Sequence, residues 1–327
     1  MLKWALALVL TLIAAPVLAA TFAIAINDRA DADFNAGVQD ALAAGADATS
    51  LTVFWDDLEQ DGVYAPEFDW PAIANRYYPS VGLSLILSIA VLDTVADRRP
   101  ATLQSRGWDD PELARRFAVF VAELLDRMQD TDLVAINIGN EVDGVLSGSD
   151  WETYRQFFRA AKAEVARLRP GVPIGVTMTW EGLRNTPAAQ ALANEGDVWM
   201  INYYPLDSRF RVHDPADMPV QMDAMIAAAA GKPVMLSETG YPSGGCRGSL
   251  QGQRDFVETA LQAWQDRQAY MPLLTLVWLN DISDDALGFY KSYYGVSNKC
   301  FLSYLGTLGL ADHTGRDKPA LTWLKSR

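Results

Sequence analysis

The chain has 327 residues, half of them apolar, and carries 41 acidic against 27 basic side chains for a formal charge of −14. Such a surface repels nucleic acid and anionic lipid, and it suits a neutral or cationic partner or simple solubility. With only two histidines, His213 and His313, and two cysteines, Cys246 and Cys300, there is little material for a histidine-rich zinc site or a Ser-His-Asp triad.

The first residues read Met1-Leu2-Lys3-Trp4, then an apolar run from Ala5 to Leu18, with small residues at Val17 and Ala19. This is the pattern of a secretory signal peptide, residues 1–19, which leaves residues 20–327 as one exported domain, secreted or periplasmic. A retained anchor is the alternative, but the run falls short of the ~20 residues a membrane span needs. No later stretch is long and apolar enough to cross, so stable membrane insertion after cleavage is not expected. The sequence does not set the oligomeric state.

Short apolar runs then alternate with amphipathic ones. The strands predicted are Phe22–Ile26, Ser50–Trp55, Leu83–Val91, Leu133–Gly139, Ile174–Thr179, Val198–Tyr203, Pro233–Ser237 and Leu273–Leu279. The clearest helices are Pro111–Met128, Trp151–Leu168, Met218–Ala230 and Leu250–Gln268. In the first of these, Leu113, Phe117, Phe120, Val121, Leu124 and Leu125 follow a 3.6-residue period, and Asp110-Pro111 supplies a cap and a first-turn proline. Eight strands separated by helices imply parallel pairing, and eight is the count of a closed (β/α)8 TIM barrel. An open doubly wound sheet usually carries a glycine-rich loop after its first strand, whereas here that strand runs into Asn27-Asp28-Arg29-Ala30. The residues 288–307, rich in Tyr, Ser and Gly, read as a long irregular segment over the barrel mouth.

Active sites of such barrels lie at the C-terminal strand ends. The fourth strand ends Gly139-Asn140-Glu141-Val142-Asp143, and the seventh ends Ser237-Glu238-Thr239-Gly240-Tyr241-Pro242-Ser243. Alternation along the fourth strand puts Glu141 on one side with Leu133, Ala135 and Asn137, aimed into the mouth, with Ile136 and Ile138 facing the helices. Two facing carboxyls, one protonated and one ionised, are what cleavage of a glycosidic bond needs.

These two strings, with Asn202-Tyr203-Tyr204-Pro205 on the sixth strand, resemble the motifs of clan A retaining glycoside hydrolases. They look most like the plant and fungal type β-1,3-glucanase family, with the β-1,4-galactanases close behind. The resemblance implies Glu141 as acid/base, Glu238 as nucleophile, Asn140 on the sugar 2-hydroxyl, Tyr204 or its neighbour Tyr203 donating to Glu238, and Trp278 as the pocket floor. It implies no metal or organic cofactor, a polysaccharide or oligosaccharide (β-glucan or β-galactan) as partner, carboxyls ~5 Å apart as retention requires, and endo action. Many clan members carry an arginine at the end of the second strand; this chain has none there, and Arg29 is the candidate substitute. A transglycosylase using the same residues, and an inactive carbohydrate-binding barrel, are the alternatives.

Trp55 and Trp180, also at strand ends, can stack on sugar rings or serve as core; Tyr293, Tyr294 and Trp108 are weaker candidates of the same kind. Asp28, Asp56, Asp57 and Asp143 lie near the expected mouth. Cys246 follows the seventh strand and Cys300 the eighth, so a disulfide is expected to tie two site loops and close a loop of ~54 residues, worth about 4 kcal/mol on the chain-entropy model.

Overall fold

A computed structural model describes residues 18–327; most of the expected leader, residues 1–17, lies outside the described residues. The chain forms a nearly closed parallel barrel with helices around it. Its strands, in order, are Thr21–Ile24, Ala48–Phe54, Ser84–Asp93, Leu133–Asn140, a fifth made of Ile174–Gly175 and Thr177–Thr179, then Trp199–Tyr203, Val234–Thr239 and Leu273–Leu276. Neighbours in sequence are neighbours in space, and the first strand pairs with the eighth. This is the (β/α)8 arrangement that the alternation predicts.

The fifth strand is the weak point of the ring. Its first piece pairs with the fourth strand and its second with the sixth, with Val176 between them. Asn137 spans the gap: its Oδ1 accepts from the Thr177 backbone N–H at 2.8 Å while its Nδ2 donates to Ser88 Oγ at 2.9 Å. A side chain thus replaces a missing ladder bond, since a buried backbone donor left alone is costly.

The predicted helices are Pro111–Asp126, Asp150–Leu168, Met218–Ala228 and Leu250–Gln265, each ending or starting within a few residues of its sequence pattern. In Pro111–Asp126 the Asp110 side chain accepts from the Glu112 N–H, and the six apolar residues of the periodic stripe are buried. Among the described residues no helix is long and apolar enough to cross a membrane.

Two expectations are corrected. The segment 288–307 is mostly helical: Asp284–Tyr294 and Lys299–Gly306 lie there. Ser283 and Asn298 cap them by accepting backbone N–H bonds, and Gly295, at φ +63°, ends the first. Second, strict alternation fails on the fourth strand. Leu85 pairs with Leu133 but Ile86 pairs with Ala135, so Val134 is an extra residue. Leu133 therefore packs with the outer layer and Ala135 with the barrel interior.

Gly139 has φ +88°, and a Cβ there would meet the Tyr154 hydroxyl and Val142 Cγ1. Tyr154 is fully buried and donates to the Ile138 carbonyl at 3.1 Å, so it has no room to retreat. Gly139→Ala is expected to cost at least about 1–3 kcal/mol of stability from the backbone conformation alone. Chemical denaturation midpoints with unchanged m-values would show it.

Candidate active site

The barrel interior changes character along its axis. Its lower layer is apolar and mixes small with large: Ala23, Ala48 and Ala135 face Met200 and Met235. Gly175 belongs to the same scheme, because a Cβ there would strike Met200. Above it come Ser88, Asn137, Thr177, Asn202 and Thr275, and above them the mouth.

Glu238 reaches the mouth through a bulge. Met200 pairs with Met235 and Ile201 with Leu236, but Asn202 pairs with Glu238, so Ser237 is the extra residue. The bulge gives Glu238 the inward direction that alternation would have assigned to Ser237. Glu141 arrives by a different route: it follows Gly139 at φ +88° and itself adopts φ 43°, ψ 47°. A left-handed conformation in a glutamate is strained and is held by its surroundings.

The two carboxyls meet around Asn202, which is 1% exposed. Its Nδ2 donates to Glu141 Oε1 at 3.0 Å and to Asn140 Oδ1 at 3.3 Å. Glu238 lies opposite Asn202 in the register of the sixth and seventh strands. Tyr204, not Tyr203, donates to Glu238, from its hydroxyl to Oε2 at 2.7 Å. Asn140 is oriented at both ends, since its Nδ2 donates to Asp93 Oδ1 at 3.0 Å.

Burial pushes both glutamates well above the usual carboxylate range. For Glu238 the next cause is the charge of Glu141, then Asp93; for Glu141 the charges of Asp143 and Asp93 act in the same direction. The Asn202 and Tyr204 hydrogen bonds oppose these effects by favouring ionised carboxylate. Tyr204 itself is raised far above the ordinary phenol value by burial and by Glu238, so it stays a donor. Like charges this close titrate as a pair, and the second proton is held past neutrality.

Several other candidates lie elsewhere. Trp55 is fully buried, donates to Glu59 Oε2 at 2.7 Å and stacks on Phe120, which makes it core. Trp180 is buried and donates to Gln221 Oε1 at 3.1 Å under the helix layer. Trp108 is buried against Tyr154. Tyr203 packs against the outer core, and the charges that act on it are Asp217 and Arg184. Arg29 pairs with Asp31 and Asp40, on the first helix, while the main charges on Glu238 are both negative. Asp56 and Asp57 pair with Arg98, and Asp143 accepts from the Thr179 N–H at 3.0 Å, tying the fourth strand end to the fifth. Trp278 does lie at the mouth, stacked on Tyr290 with centroids 5.8 Å apart; its peptide bond to Val277 is cis. Cys246 and Cys300 form a disulfide with Cα atoms 5.2 Å apart.

Two residues of this cluster had no role in the sequence reading. Asn202 opens the Asn-Tyr-Tyr-Pro string but was given no function. Asp93 ends the third strand, and the strand-end rule applied there would have found it. Among the described residues no group of three or more His, Cys, Asp or Glu is arranged to hold a metal ion.

Because both carboxyls are raised in the folded chain, the folded state binds more protons than the unfolded one from pH 4.5, the ordinary value, upward to about pH 8. Stability is then lost as pH rises through that window. Glu238→Gln should therefore raise Tm relative to the parent protein, and by more at pH 8 than at pH 5. An equal shift at both values would contradict the raised titration.

No protein-family model and no curated protein sequence matches the chain. Solved structures do. A GH5_18 protein of Streptomyces cattleya, in complex with Manβ1-4GlcNAc, has a TM-score of 0.73 at 17% identity, over 94% of this chain and 80% of that one. An exo-β-1,4-mannosidase of Opitutaceae bacterium strain TAV5 has a TM-score of 0.72 at 17% identity, over 94% of this chain and 58% of that one. The GH53 catalytic domain of Ignisphaera aggregans has a TM-score of 0.62 at 15% identity, over 86% and 85%. At such identities the likeness is one of fold: this chain shares the barrel of those proteins.

Proposed function

We propose that the protein is a retaining β-glycosidase in which Glu238 is the nucleophile and Glu141 the acid/base. One observation carries the reading: glutamates from the ends of the fourth and seventh strands meet in one half-buried site on either side of Asn202, which bonds Glu141 and lies opposite Glu238 in the sheet register.

The geometry suits a double displacement. Glu238 in its ionised form, which the Tyr204 hydroxyl favours against the effect of burial, attacks the anomeric carbon as the bond to the leaving oxygen breaks. Glu141, kept protonated by burial and by the charges of Asp143 and Asp93, gives its proton to that oxygen. Water then enters; Glu141, now ionised, takes its proton, and the hydroxyl displaces Glu238 from the sugar. Asn140, with its Oδ1 turned to Asn202 and its Nδ2 shared with Asp93, is set to hold the sugar 2-hydroxyl. Trp278 offers an aromatic face beside it.

The substrate class we propose is a β-linked glycan, a β-glucan or β-galactan on the strength of the sequence motifs. The Manβ1-4GlcNAc and mannosidase named for the structural neighbours add β-mannosides to the panel worth assaying. A sugar acceptor in place of water would give transglycosylation through the same intermediate. Export to a secreted or periplasmic compartment is proposed with it, in keeping with the Cys246–Cys300 disulfide.

The test is chemical rescue. Glu141→Ala should lower kcat on substrates with poor leaving groups by about 10²–10⁴-fold, keep turnover of a dinitrophenyl β-glycoside, and form β-glycosyl azide when azide is added. Glu238→Ala should be inactive on both. Unchanged turnover in the two variants would remove the roles given to these glutamates, and glycan binding by a parent protein that cleaves none of the panel would leave the inactive binding barrel as the better description.

A further inference from the structure

The first two of the three helices after the last strand bear on which part of a glycan the site accepts, an inference that rests on the glycosidase reading above. Helix Asp284–Tyr294 begins beside the eighth strand, where Tyr290 stacks on Trp278. It ends at the third strand: the Tyr293 hydroxyl lies 2.6 Å from Asp93 Oδ2 and 2.7 Å from the Asp93 carbonyl oxygen, close enough to donate to either. The first and second strands stand between those two in the barrel, so the helix bridges that arc of the rim. Helix Lys299–Gly306 covers the next arc. Tyr304 packs edge-on against Tyr204 of the sixth strand end with centroids 5.4 Å apart, and Cys300 is bonded to Cys246 beyond the seventh strand. Tyr294 and Tyr304 are raised first by burial and then by the charges of Glu141 and Glu238, as expected of rings roofing that pair. The roof thus runs from the third strand, back through the eighth, to the sixth and seventh.

A general acid must stand beside the leaving oxygen. Glu141 comes from the fourth strand, at the border of the arc that neither helix crosses. The leaving part of the glycan then faces the open arc, and the sugar that stays on Glu238 sits against Trp278, under the roof. A chain threading through the site would have to pass where the aromatic residues stand. We propose that the glycone side is a blind pocket, so that sugars are taken from the non-reducing end of a chain, and that the Asp93–Tyr293 contact is a specificity determinant that holds this pocket shut. This departs from the endo action that the sequence motifs imply.

The experiment follows an oligosaccharide tagged at its reducing end, after a 2-deoxy-2-fluoro β-glycoside has been used to trap a sugar on Glu238 by mass spectrometry. The expected result is a tagged ladder shortening stepwise from the untagged end, with polymer viscosity nearly constant. Trapping together with scattered tagged fragments from the earliest times, and a rapid fall in viscosity, would overturn the pocket while sparing the glycosidase. No trapping and no turnover on any glycoside would remove both. In Tyr293→Phe, loss of the charge-assisted hydrogen bond should raise internal cuts relative to end cuts about tenfold, through KM for polymer more than kcat on an aryl glycoside. Cys246→Ser combined with Cys300→Ser, which frees the second helix, should move the ratio the same way. An unmoved ratio in both proteins would deny the roof its role.

Discussion

Two carboxyl groups of like charge sharing a poorly solvated barrel mouth set the terms for much of this structure. Burial disfavours their ionised forms, the charge of Glu141 makes Glu238 harder still to ionise, and those of Asp143 and Asp93 do the same for Glu141. The surroundings answer with donors aimed at them: the Asn202 amide toward Glu141, and the Tyr204 hydroxyl toward Glu238. Neither cancels the repulsion. What results is a pair that keeps a proton at neutral pH, the state in which one group can give a proton while the other attacks. The stability lost by holding that pair is the stability the proposed chemistry uses.

Bringing the pair together takes local irregularity in an otherwise regular barrel. The seventh strand inserts Ser237 as a bulge, and the fourth ends on two left-handed residues, Gly139 and Glu141. Regular alternation would send every second residue to the helix layer, so departures from it re-aim side chains where a site is needed. The packing below supports the departures: Tyr154 fills the space beneath Gly139, and Asn137 bonds to both the third and fifth strands where the ladder is broken. Strain at the mouth and satisfaction beneath it are parts of one arrangement.

Asp93 links the site to its roof. One carboxylate orients Asn140 on one side and meets the last helical turn of the capping segment on the other. Substrate positioning and pocket shape are thereby coupled through a single residue, with the disulfide holding the far end of the cap.

The sequence by itself determined the barrel, the approximate bounds of its four clearest helices and which two glutamates end the fourth and seventh strands. Those features depend on local periodicity and on short strings next to one another in the chain, such as the stripe of Pro111–Asp126 or Asn140-Glu141. Tertiary structure decided which aromatic strand-end residues are core, sending Trp55 and Trp180 inward to Glu59 and Gln221 and leaving Trp278 at the mouth. It also decided that Tyr204 rather than Tyr203 serves Glu238, that Asn202 serves Glu141, and that residues 288–307 are largely a helical cap reaching Asp93, 200 residues away in sequence from Tyr293. A single inserted residue reverses every later side-chain direction on a strand, and contacts between distant segments leave no periodic trace. Both are invisible until the chain is folded.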